Sequence, residues 1–206
     1  MTTPLRRQPR GAARRDAIVE AAAALVVEAG PSTLTHRTIA QRAEVPLAAT
    51  TYYFASLDDL VGAAGTRLAE RWATHADAVL AAVTVEVSAA VDPVTVLSVE
   101  RRCAVLVDAV LPAGGPLAVR GHYEHLVSAG RDETLAAAYA AGRAGLDEAV
   151  TQIVDLLHIP VGPEIVVAVV DGAAVSALSE GGDVRVHAEL LLRRTLLALL
   201  PGPVGA

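Results

Sequence analysis

Residues 35–54, THRTIAQRAEVPLAATTYYF, decide how this chain is read. Thr35 carries the hydroxyl that a helix N-terminus needs for its free backbone N–H groups, so it marks a helix start. Ile39, Ala40 and Ala43 follow at helical spacing and share one face. Glu44-Val45 interrupts the pattern. Pro46, with its φ already fixed near the helical value, opens a second helix. The expectation is two short helices, about 36–43 and 46–53, joined by a tight turn that buries Val45. Tyr52, Tyr53 and Phe54 close the stretch and make up half of the six aromatic residues in the chain. Phe54 is expected to plug a small core.

Upstream, Ile18, Ala21, Ala22, Leu25 and Val26 recur at i, i+3, i+4, i+7 and i+8. That period predicts an amphipathic helix from about Arg14 to Ala29. Gly30 supplies a residue that tolerates a left-handed conformation, and Pro31 bars continuation. Residues 1–13 are rich in Arg, Pro, Gly and Ala without apolar periodicity, and are read as a flexible basic arm able to lie along phosphates.

Charge separates this end from the rest. Residues 1–55 hold seven Arg against four acidic residues, a balance of +3, while the remainder balances at −9. A locally basic helix-turn-helix on an acidic body suits a reader of double-stranded DNA coupled to a second activity. The side chains expected to face DNA are Arg14 and Arg15 at the start of the first helix and Thr35, His36, Arg37 and Thr38 at the start of the second. Along the third helix they are Pro46, Leu47, Ala48, Ala49, Thr50, Thr51, Tyr52 and Tyr53. Small side chains let the backbone approach base edges. Hydroxyl and phenol groups suit phosphates, and Leu47 or a Thr methyl suits the methyl of thymine. The face is poor in charge, so Arg37, Arg42 and the preceding Arg residues are expected to supply the phosphate attraction.

Residues 14–60, RRDAIVEAAAALVVEAGPSTLTHRTIAQRAEVPLAATTYYFASLDDL, resemble the N-terminal domain of the tetracycline-repressor (TetR) family of bacterial transcription regulators. The resemblance rests on the Ala-rich helix ending in Glu-Ala-Gly, on Thr35, Ile39-Ala40, Ala43-x-Val45 and Tyr53-Phe54, and on Ser56 with Leu60. It implies an all-helical homodimer with a helix-turn-helix and a separate ligand-binding domain. Five positions depart from the family pattern. Glu44 stands where Gly is usual in the turn, Pro46 and Leu47 where a polar residue is usual, Thr51 in place of a common Tyr, and Leu57 in place of a common Lys.

The rest of the chain is apolar but poor in aromatics, 53% against 3% overall, so its core must be built from Ala, Val and Leu in closely packed helices. No apolar run free of charge is long enough to cross a bilayer, and the start lacks the apolar segment of a secretory signal. The single cysteine, Cys103, forms no internal disulfide and fits a reducing cytoplasm. A fourth helix is expected from Ser56 to about Thr84. Helices follow at about 93–111 (opened by Asp92-Pro93), 117–129, 132–157, 164–179 and 184–200. Pro112 to Pro116, Gly130, His158 to Pro163 and Gly181-Gly182 punctuate them.

Polar or aromatic groups on apolar helices are what an aliphatic cavity needs to orient a ligand. Trp72, His75, Cys103, Asp108, His122, His125, Tyr139 and Asp171 are the candidates. His122 and His125, at i and i+3, lack further ligands at metal spacing, so no metal is assigned. No nucleophile motif, phosphate loop or paired carboxylate is found, and no catalysis or cofactor is expected. Apolar residues on several faces of the last two helices suggest a dimer interface carried by Val169, Ala173, Ala177, Leu192, Leu196 and Leu200.

The sequence therefore predicts an all-α protein. It divides into a basic arm (1–13), a three-helix helix-turn-helix domain (14–60) and a helical ligand-binding and dimerisation domain (61–206). Its expected partners are a DNA operator, a small-molecule effector and a second copy of itself, with no membrane. The expected function is a transcription regulator, a repressor released from a palindromic operator by a small, largely apolar ligand. The other reading is a helical small-molecule-binding protein or enzyme with a vestigial DNA-binding domain.

Overall fold

A computed structural model of the protein describes residues 9–89 and 97–199. Among the described residues there are nine α-helices, one short 3-10 turn and no strand. They pack as two compact units. One comprises the described residues up to 69 together with 124–141, and the other comprises 70–123 with the described residues from 142 onward.

The first unit is built on α1 (Pro9–Ala29), a 3-10 turn (Pro31–Thr33), α2 (His36–Arg42), α3 (Leu47–Tyr53) and the start of α4 (Leu57–Ser88). α1 begins five residues before the sequence-based boundary at Arg14. Pro9 explains this, because a proline in the first turn sacrifices no intrahelical hydrogen bond. Of the expected arm, residues 9–13 are thus helical, and residues 1–8 lie outside the described residues. Ile18, Ala22 and Val26 of α1 pack with Leu34, with Ile39 of α2, with Phe54 and with Leu60, Ala64 and Leu68 of α4. Phe54 is buried as expected, whereas Val45 is only half-buried against this core.

Two later elements complete the same core. α6 (Pro116–Ala129) contributes Leu126 and Ala129 from its last turn, and α7 (Glu133–Leu156) contributes Leu135 and Tyr139 from its beginning. α7 lies close to α4 because α4 presents glycines there. A methyl group added at Gly65 would sit 3.0 Å from the Ala138 Cβ and the Leu135 Cδ2, and one at Gly62 would sit 2.9 Å from the Thr134 Cγ2.

The second unit contains the rest of α4, α5 (Val99–Val110), the first turns of α6, the remainder of α7, α8 (Pro163–Glu180) and α9 (Val184–Leu199). Ser98 caps α5, its Oγ accepting the Arg101 N–H at 3.2 Å. The helix start expected at Asp92-Pro93 lies outside the described residues. α8 and α9 pack on each other and on α5, burying Val166, Val170, Ala173, Ala174 and Ala177 with Ala188, Leu192 and Leu196. Gly181, with φ of 73°, ends α8 in the left-handed conformation that glycine adopts without strain. α4 runs to Ser88, one turn beyond the expected end at Thr84.

Candidate DNA-reading face and ligand site

The helix-turn-helix is held at its start by a reciprocal cap. The Thr35 Oγ1 accepts the Thr38 N–H, and the Thr38 Oγ1 accepts the Thr35 N–H, both at 3.0 Å. Two donors left open by the helix start are thereby satisfied. The turn after α2 puts Glu44 at φ 54°, in the left-handed region, while the Val45 N–H reaches back to the Ala40 oxygen at 3.0 Å. A side chain with a Cβ carries strain there that glycine does not. Pro46 is the cap residue of α3 rather than its first helical residue, and α3 has no side-chain cap.

α3 displays Leu47, Ala48, Thr51 and Tyr52, with Tyr52 80% exposed. Ala49 and Tyr53 are half-buried. Thr50 corrects the sequence-based picture. It is fully buried, its hydroxyl donating to the Leu47 oxygen at 2.8 Å, so it faces the three-helix core and not a groove. The helical period explains this, since Thr50 shares a face with Tyr53 and Phe54, three and four positions on, which pack against the same core. The Tyr52 and Tyr53 rings meet edge to face at 5.0 Å.

The cations divide similarly. Arg14 and Arg37 are exposed, whereas the Arg15 guanidinium lies 5.0 Å from the centre of the Phe54 ring. Arg42 was expected to attract phosphate. It pairs with Glu28 at 2.5 Å, which ties α2 to α1 and offsets its charge.

In the second unit the structure brings three of the predicted ligand residues together. The Trp72 indole donates to the Val110 oxygen at 2.7 Å, and its ring meets His122 edge to face at 4.6 Å. His122 in turn abuts Tyr123 at 5.6 Å between ring centres. The Tyr123 hydroxyl donates to the Asp171 Oδ1 at 2.8 Å. The Arg143 guanidinium lies over the Trp72 ring, 5.8 Å from its centre, and also bonds Asp147 at 2.8 Å. Burial raises the Asp171 carboxyl above the usual carboxylate range, against the opposing effects of the Tyr123 hydrogen bond and of Arg143. Burial, followed by the charge of Asp171, likewise raises the Tyr123 phenol and keeps it neutral.

The other candidates go elsewhere. The His75 Nε2 lies 2.9 Å from the Asp108 backbone oxygen, and both residues line a cleft of about 250 Å³ with Arg101 and Val105. Asp108 is paired with Arg185 at 2.9 Å. Cys103 is buried, and its thiol is pushed up to about 11 by burial and then by Glu100, so it stays protonated. His125 and Tyr139 belong to the first unit, where they hydrogen-bond to each other. Burial alone pushes His125 down to about 4, leaving the imidazole neutral.

Sequence reasoning missed Tyr123 and Arg143 as members of the aromatic cluster. Tyr123 lies between two of the candidates, His122 and His125. Arg143 gave no signal, because an arginine on a helix ordinarily reads as solvated.

The subunit-contact residues also need correcting. Ala173, Ala177, Leu192 and Leu196 are covered within the chain itself, Val169 is half-buried, and Leu200 lies outside the described residues. What α8 leaves outside is Ile165, Ala168, Gly172 and Val175, a stripe at i, i+3, i+7 and i+10. α9 leaves Leu190, Leu191, Leu197 and Leu199 exposed.

Helix-turn-helix and helical body together define a DNA-binding regulator with its own ligand domain. Comparison with known proteins agrees. The family described as tetracyclin repressor-like, C-terminal domain, matches residues 97–202. The multidrug binding protein EbrR in complex with ethidium is 30% identical, with 92% of this chain and 99% of that chain covered and a TM-score of 0.64. The same protein complexed with malachite green is 29% identical over 92% and 99% of the two chains, at a TM-score of 0.62. A TetR-family member from Streptomyces coelicolor A3 is 29% identical over the same shares, at 0.58. No curated protein matches by sequence. The chain belongs to the tetracycline-repressor family of transcription regulators. Proteins of this family are generally not enzymes. Among the described residues no helix is long and apolar enough to cross a membrane, and no three His, Cys, Asp or Glu side chains group as a metal would need.

Proposed function

We propose that the protein is a dimeric repressor released from a near-palindromic operator by an aromatic, largely apolar cation. The observation that carries the effector class is the chain of contacts Trp72, His122, Tyr123 and Asp171, which offers ring faces beside a half-buried carboxylate. Ring faces attract cations, and a buried carboxylate gains from a counter-charge. EbrR, solved with ethidium and with malachite green, supports the same class of ligand. Arg143 already lies over the Trp72 ring and near Asp171, so an entering cation takes over a role that this side chain fills.

On the DNA side, Leu47, Ala48, Thr51 and Tyr52 read base edges, with phosphate contacts from Arg14, Arg37 and the N-terminal turn of α2. The exposed stripes of α8 and α9 meet their copies across a two-fold axis, and Gly172, with open space around it, permits close approach. The two α3 helices then reach successive major grooves roughly 34–36 Å apart. The effector releases DNA only through its preference for the conformation with the wrong spacing.

The test is selection of genomic fragments by the purified protein, followed by addition of ethidium to the selected complex. Enrichment of an inverted repeat, and its release by ethidium at concentrations that leave an unrelated repressor bound, support the reading. Failure to enrich any fragment over random DNA removes the repressor, and enrichment without release removes the cationic effector.

A further inference from the structure

Leu117, 85% exposed, and Val186, 65% exposed, are large apolar side chains at two distant places in the sequence. Both line one cavity of about 390 Å³. It opens where the end of α5 and the start of α6 meet the turn between α8 and α9. Leu111, Val119, Leu178 and Val184 make its apolar walls, and Arg120 and Arg185 are its cations. The one carboxylate in the lining, Asp183, accepts the Val186 N–H at 2.9 Å and so is engaged at the start of α9. It sits at the positive end of the α9 dipole, which offsets part of its charge.

Neither helix start could make a site alone. The independent features are the cavity itself, its apolar walls and the two guanidinium groups in its lining. The volume falls within the range of small-molecule pockets, roughly 300–1,000 Å³. Apolar walls with guanidinium groups select a molecule that is apolar for most of its length and ends in an anion. Arg185 reaches Asp108 on α5 at 2.9 Å, so an anion here competes with that carboxylate for the same guanidinium.

We propose that this cavity is a second ligand site, separate from the aromatic cluster, that binds an amphipathic carboxylate such as a medium-chain acyl acid. Its ligand is opposite in charge to the cation assigned to the Trp72 and Asp171 cluster, so the two sites do not compete for one class of molecule.

Equilibrium dialysis of the full chain with radiolabelled decanoate tests this. Decanoate is expected to bind saturably. Binding is expected to weaken about tenfold in Arg185→Glu, from the loss of a charge-assisted contact, and similarly in Leu117→Asp, which places a like charge at the mouth. Leu117 is so exposed that its replacement leaves the fold intact, which unchanged circular dichroism verifies. Decan-1-ol and decyltrimethylammonium are expected to bind at least about tenfold more weakly than decanoate. Absence of saturable decanoate binding overturns the proposal. So does either variant binding decanoate as the parent does, or either uncharged or cationic analogue binding as tightly as decanoate.

Discussion

The Tyr123 hydroxyl and the Asp171 carboxylate are joined by a 2.8 Å hydrogen bond between α6 and α8. The bond ties the aromatic cluster to a helix whose exposed stripe runs beside Asp171, with Ala168 three positions before it and Val175 four after. Asp171→Asn keeps the shape and removes the charge. Ethidium affinity is expected to fall roughly ten- to a hundredfold, read by fluorescence titration, because a charge-assisted contact of roughly 1.5–3 kcal/mol is lost. The carboxyl is raised above its ordinary range, so parental affinity is expected to climb with pH across that raised value while the Asn variant stays flat. Arg143→Ala is expected to strengthen ethidium binding, because the competing guanidinium is gone.

Glu44→Gly tests the left-handed turn. The φ of 54° costs a residue with a Cβ about 1–2 kcal/mol, and glycine returns about 0.5–1 kcal/mol of that through its freer unfolded chain. The net expectation is a gain on the order of 0.5–1 kcal/mol, seen as a higher midpoint in denaturant. A loss of stability would mean that the Glu44 side chain supports the turn in another way.

Tyr52 and Thr50 are neighbours on α3 with opposite roles. Tyr52→Ala is expected to leave stability within about 0.5 kcal/mol, as for other exposed positions, and to weaken operator binding. Thr50→Ala is expected to cost about 1 kcal/mol of stability through its lost hydrogen bond to Leu47. Denaturant melts and DNA titrations on the same preparations separate the two.

His125 makes the first unit sensitive to acid. The unfolded chain takes up a proton near pH 6.5 and the folded site only near 4. The contribution is therefore complete above 6.5 and is lost as pH falls through that window, up to about 3 kcal/mol in all. His125→Gln is expected to flatten the curve of stability against pH between these values. A parental curve that is already flat would show that the site remains hydrated.

The outer stripe of α8 is tested by Val175→Asp. A carboxylate at the centre of the proposed apolar contact is expected to leave the protein monomeric at micromolar concentration in sedimentation equilibrium, where the parent is expected to be dimeric. Ala173, two residues earlier, faces the chain's own core, so Ala173→Asp is expected to unfold the protein rather than dissociate it.

The contrast between Val175 and Ala173 also shows what was legible beforehand. Helical period placed most helices to within a few residues, because Ala, Val and Leu repeat wherever one helix buries a face. It did not show which face of α8 was inside, since nearly every position there is apolar. The turn motif, the Thr35 cap and the Phe54 plug were readable because each depends on neighbours within a few residues. Thr50 was misassigned because a hydroxyl reads as exposed until its own helix is seen to satisfy it. The pairing of Tyr123 with Asp171 joins residues forty-eight positions apart and left no local trace. The same holds for His125 and Tyr139, which were grouped with Trp72 on chemistry alone and belong to the other unit.

α6 spends consecutive turns on different tasks. His122 and Tyr123 serve the aromatic cluster, while Leu126 and Ala129 are core residues of the helix-turn-helix unit. A genetic screen over these fourteen residues should therefore recover two phenotypes in separate blocks. Changes at 122 and 123 should yield alleles deaf to the inducer but still silencing. Changes at 126 and 129 should yield alleles that no longer silence at all. On the proposed repressor reading, new inducer preferences then arise by substitution in a single turn, without altering the promoter that is controlled.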